Sequence, residues 1–119
     1  MKTDQMTGTT PEVAQVLVQM YQLLWQARGE AYRRFCADPK DLVSADLTFI
    51  LYDLYGRVFD LIPTAHRDAL LDRPEVTGAD PVELARQAEL LSRTQPVHHF
   101  PPGIATVVVR LIDTVREFS

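Results

Sequence analysis

At 119 residues, with 46% hydrophobic and 24% charged side chains, the chain has the size and composition of one folded domain rather than of a disordered segment. Its formal charge of −4 argues against a nucleic-acid partner, whose phosphates require a clustered basic surface, and its single cysteine, Cys36, excludes an internal disulfide and a zinc site built from several cysteines. No apolar run approaches a membrane span and no cleavable leader is visible, so the expected setting is soluble and cytoplasmic, with no membrane partner and no cofactor.

The first nine residues are polar and aperiodic and read as a disordered tail, leaving residues 10–119 as a single helical-bundle domain. Thr10, Pro11 and Glu12 mark a helix start: a hydroxyl to cap the first turn, a proline where no amide donor is needed, and a carboxylate at the positive end of the dipole. That helix should run to Ala37. Val13, Val16, Leu17, Met20, Leu24, Ala27, Ala31 and Phe35 follow the helical period, while Val18, Tyr21, Trp25 and Tyr32 trace a second line beside them. Cys36, with no helix N-terminus or histidine to activate it, reads as a small buried residue.

Asp38 before Pro39 breaks the helix, and a second helical stretch should cover roughly Leu42 to Ile62, its start open between Pro39 and Ser44 and its end set by Pro63, which removes a donor. It also carries two lines. Val43, Leu47, Ile50, Leu51, Leu54, Val58, Leu61 and Ile62 form one, and Phe49, Tyr52, Tyr55 and Phe59 the other. An antiparallel hairpin of these helices would set Trp25 level with Leu54 to Gly56, the glycine leaving room for the indole.

A short helical piece over Thr64–Leu71 and a loop over 72–79 should follow. Asp80, Pro81 and Glu83 then form a capping-box start for a third helix ending near Arg93 or Thr94. The prolines of QPVHHFPPG predict an extended connection. The last segment is rich in β-branched residues, yet Ile104, Val107, Val108, Leu111, Ile112, Val115 and Phe118 step by three and four, which predicts a helix. The expected fold is all-α: a four-helix bundle with a long N-terminal helical hairpin and a short extra helix after Pro63.

For function, the aromatic set Tyr21, Trp25, Tyr32, Phe49, Tyr52, Tyr55 and Phe59 is the leading candidate, open to three readings: core, a surface that binds a second copy or another protein, or a pocket for a small apolar ligand. His98 and His99 would point to opposite sides of an extended chain and therefore do not suggest a metal site. Arg93 and His98, separated by four residues, resemble the Arg-x4-6-His signature of the HEPN ribonucleases, which are dimerising helical bundles. That resemblance implies His98 as base and Arg93 as the cation on a pentacovalent phosphate, although Thr94 stands where the family favours Asn, Asp or His, and Pro96 interrupts the interval. Leu84, Ala85, Arg86 and Ser92, Arg93, Thr94 resemble the first helix and turn of helix-turn-helix readers, with Glu89 near the turn glycine's place and Pro96 where the recognition helix would begin. The sequence favours a non-enzymatic helical interaction or regulatory module acting as a homodimer, with the HEPN-like ribonuclease and the ligand-holding bundle as alternatives.

Overall fold

The computed structural model describes residues 9–71 and 78–119, and these are helical with no strand among them. Four α-helices, α1 (Pro11–Ala37), α2 (Leu42–Leu61), α3 (Pro81–Ser92) and α4 (Ile104–Phe118), are joined by 3-10 segments at Thr64–Leu71 and Val97–His99. Residues 1–8 of the expected tail and 72–77 of the expected loop lie outside the described residues.

Each start has a local cause. Thr10 Oγ1 accepts the Val13 amide at 3.2 Å, and Asp80 accepts the Glu83 amide at 3.3 Å, as the sequence predicts. Glu83 does not close the capping box in return, since its carboxylate is taken by Arg86 one turn on. The start of α2 is neither Pro39 nor Ser44. Asp38 closes α1 and accepts the Lys40 amide, and Asp41 caps α2 by accepting both the Ser44 amide at 3.0 Å and the Ser44 hydroxyl at 2.6 Å. The QPVHHFPPG stretch is also not extended throughout: it tightens into one 3-10 turn at Val97–His99 before Gly103, at φ 103, swings the chain into α4. That turn is why His98 and His99 do not diverge, their rings meeting edge to face at 4.5 Å.

α1 runs antiparallel to both α2 and α3, and α4 runs antiparallel to α2 and α3, which closes a ring of helices around one core. Where α1 ends and α3 begins, Glu30 of α1 accepts the Gly78 amide at 2.6 Å and Arg34 approaches Asp80 at 3.7 Å. Arg86 of α3 donates to Ser119 at 2.9 Å, and Arg110 of α4 reaches Asp53 of α2 at 3.5 Å. Leu17, Met20 and Leu24 of α1, Leu51 and Leu54 of α2, Ala85 and Ala88 of α3, and Leu111 of α4 fill the centre and are withdrawn from water. No helix among the described residues is long and apolar enough to cross a membrane.

Candidate interaction surface

The aromatic set divides by face. Tyr21 is 6% exposed and sits edge-on to Tyr55, with ring centres 5.5 Å apart, and Phe59 lies 6.0 Å from it. Trp25, Tyr55 and Phe59 are half-buried and packed on the core. These four therefore form the seam between α1 and α2, filling with side chains the space that a ligand-holding bundle would leave for an apolar molecule. Cations line the rim of the seam: the Arg28 guanidinium stands 5.9 Å over Tyr55, and that of Arg67 stands 4.4 Å over Phe59 while its Nε donates to the Ile62 carbonyl at 3.0 Å. Burial pushes the Tyr55 hydroxyl above its ordinary value of 10.0, with Arg28 opposing the shift.

Phe49, Tyr52 and Tyr32 have another fate. Phe49 is 76% exposed, Tyr52 61% and Tyr32 half, and Leu42 at the head of α2 is 67% exposed. Leu42, Ala45, Phe49, Tyr52 and Gly56 follow one another by three and four residues, so they stand in a row on the outward face of α2. The inward face is carried by Leu47, Leu51, Leu54 and Val58, all buried. Tyr52 is held at one edge of the row by an edge-to-face contact with Tyr55 at 5.3 Å, which ties the exposed face to the buried seam.

Gly56 is not the seat of Trp25. A Cβ added there would meet no atom within 4 Å, so the glycine opens outward as a gap in the exposed row rather than making room within the hairpin. The counted register was near enough to pair the helices but could not tell which side of α2 the glycine occupies. Val43, placed in the inner line by its spacing, is exposed as well, because it belongs to the first turn of α2. Cys36 is exposed, not buried, since it lies in the last turn of α1. Its hydrogen bond with Tyr32 is the main cause that raises the tyrosine hydroxyl from its ordinary value.

Arg93 and His98 take different partners. Arg93 Nε donates to Glu89 at 2.6 Å and lines a depression between α3 and α4 with Arg86 and Arg116, whereas His98 is exposed on the 3-10 turn against His99. Glu83, beside the depression, engages Arg86 as Glu89 within it engages Arg93, which offsets two of the three positive charges there. The helix-turn-helix likeness ends where Pro96 suggests: α3 is followed by the 3-10 turn, and the next α-helix waits until Ile104. Among the described residues no group of three or more His, Cys, Asp or Glu is placed to hold a metal ion.

Two features escaped the sequence reading. Glu30, 1% exposed, is a buried carboxylate held by the Gly78 amide and by Arg33 at 2.5 Å, and the i,i+3 spacing to Arg33 was its only visible sign. A second apolar depression runs between α1 and α3, where Leu23, Leu90 and Leu91 are bordered by Gln19, Gln22, Gln26, Gln87 and Thr94. Compared with protein families, curated proteins and solved structures, the chain matches no family model, no curated sequence and no solved structure.

Proposed function

We propose that the chain is a non-enzymatic protein-interaction module that works through the outward face of α2, binding there a second copy or another protein. The observation that carries this reading is the row Leu42, Phe49 and Tyr52, large apolar side chains left in water on a helix whose opposite face already fills the core. Tyrosine and phenylalanine suit an interface centre because they bury much apolar area for few rotatable bonds. The ribonuclease alternative keeps only the spacing of Arg93 and His98, since Arg93 is engaged by Glu89.

A photo-crosslinking residue in place of Phe49 tests the reading in the cell, with the same residue in place of exposed Gln15 on α1 as control. A discrete adduct at position 49 that position 15 does not give is the expected result. An adduct of twice the chain mass identifies a second copy, any other mass a different protein. Equal labelling at both positions, or no adduct, would remove the proposal.

A further inference from the structure

The exposed row on α2 has one edge of a definite charge. Asp53 lies on the α4 side of the helix, where its carboxylate accepts from Arg57 at 2.8 Å and from Arg110 of α4 at 3.5 Å. Asp46 and Asp60 stand seven residues to either side of it, two turns away, and so continue the same edge. Across the groove, Asp113 and Glu117 of α4 line a shallow depression with Ile50, Arg110 and Thr114. Asp46, Asp60, Asp113 and Glu117 carry no ion pair among the described residues, so Arg57 and Arg110 are outnumbered and the edge is acidic. The other edge, toward α1, is formed by Thr48 and Tyr55; its one carboxylate is Asp41 at the cap, which is engaged by Ser44, and Arg28 of α1 stands over Tyr55.

This asymmetry constrains the occupant. Two copies of α2 laid antiparallel would bring the same edge of each helix together, setting the row Asp46, Asp53, Asp60 against itself. Laid parallel, the row would face Thr48 and Tyr55, where the one guanidinium given a place is that of Arg28, drawn over the Tyr55 ring at 5.9 Å. A second copy therefore gains the apolar contact but is opposed by charge when antiparallel, and when parallel meets a single half-buried guanidinium already engaged with Tyr55. A helix with large apolar residues at the same three-and-four spacing and lysine or arginine along one edge gains both. The row from Leu42 to Gly56 spans roughly 21 Å at the rise of an α-helix, the length of about four turns. Gly56 offers the gap into which one apolar side chain of such a helix would project.

Building on the interaction reading, we infer that the outward face of α2 and its acidic edge toward α4 form a groove for a basic amphipathic helix of another protein. Attraction along the edge would act on encounter and on the choice of partner, and would weaken as salt screens it.

A displayed library of helical peptides of about five turns, with leucine fixed at the apolar positions and all flanking positions randomised, tests this against the whole protein. The expected outcome is enrichment of lysine and arginine along one edge. Binding by the enriched peptides should fall more than tenfold with Phe49→Asp and several-fold with the double substitution Asp46→Lys, Asp60→Lys, and should weaken as salt is raised. Peptides with acidic or neutral flanks, or affinities indifferent to Asp46→Lys, Asp60→Lys, would overturn the inference while leaving the α2 face as the docking site. Sedimentation of the wild type as a dimer that Phe49→Asp converts to monomer would overturn it in the same way, a second copy being the occupant. If no enriched peptide distinguishes the wild type from Phe49→Asp, both the inference and the interaction reading fall.

Discussion

α1 and α2 each carry a second line of apolar side chains, but α1 buries Val18 and Tyr21 from its line whereas α2 leaves Phe49 and Tyr52 in water. The cause is the number of neighbours. α1 has α2 on one side and α3 on the other, with the Thr64–Leu71 segment against it as well, so its apolar residues from Val13 to Ala31 are buried or half-buried and, of its large apolar side chains, only Tyr32, near its end, stands out in water. α2 has α1 on one side and touches α4 along a shorter stretch on the other, which leaves its outward face open. Amphipathic pattern fixes how much surface a helix must hide, and the topology decides which part is hidden within the chain.

The largest test of that contrast sets the two lines against each other. Leu24→Ala removes a side chain with no exposure from the centre of α1 and should cost about 2–5 kcal/mol, the transfer term plus a cavity. Phe49→Ala, a larger truncation on the open face of α2, should change stability by no more than about 0.5 kcal/mol. Denaturant unfolding of both variants measures the difference, and a cost for Phe49→Ala comparable to that for Leu24→Ala would mean that the α2 face is not open. A smaller loss, about 1–3 kcal/mol, is expected for Glu30→Ala, because the Gly78 amide and Arg33 would lose their acceptor. Unfolding of the variant at neutral pH checks it, and an unchanged denaturation midpoint would show that the link from α1 to the start of α3 contributes nothing.

Two glycines extend the comparison to the backbone. Gly103 has φ 103 and a Cβ there would lie 3.3 Å from Leu61 Cδ2, so Gly103→Ala should cost about 1–3 kcal/mol. Gly56 is helical and opens to space, so Gly56→Ala should stabilise by roughly 0.5–1 kcal/mol through helix propensity alone. Thermal unfolding should move in opposite directions for the two. The fluorescence of Trp25 should stay unchanged in Gly56→Ala, because the gap does not face the indole.

The helices were legible in the sequence wherever a cap and a period agreed: Thr10 with Pro11, Asp80 with Pro81, and the three-and-four steps of α4 that overrode its β-branched composition. The extent of α2 was legible, but its cap was not, because Asp38 and Asp41 both suit one and only the Ser44 amide and hydroxyl decide between them. For the candidate surface, the sequence identified the aromatic residues but not their division. Tyr21 and Tyr52 look alike in one dimension. What separates them is the position of α1 and α4 around α2, a tertiary fact that no local pattern encodes. The acidic edge is visible in the sequence as aspartates seven apart, but that spacing fits any solvated helix face, and only the approach of Arg110 shows that it borders a groove.

The smallest expected effect distinguishes the two helices by their caps. α1 is capped by Thr10, whose hydroxyl stays neutral at every pH, while α2 is capped by Asp41, whose carboxylate must be charged to accept best from Ser44. The Ser44 hydroxyl, then the Ser44 amide, hold the Asp41 carboxyl below its ordinary value of 3.8. A pKa lowered in the folded state means that the charged cap favours folding at pH values above the unfolded carboxylate range, and that this contribution is lost as pH falls through the lowered folded value. Followed by NMR, the Asp41 carboxyl should therefore titrate below 3.8, and the Ser44 amide resonance should move with it, while the Val13 amide under Thr10 shows no matching transition. In Asp41→Asn the Ser44 transition should vanish, because a neutral amide oxygen still caps the helix but no longer titrates. An Asp41 midpoint at or above 3.8 would show that the carboxylate is not held by Ser44 in solution.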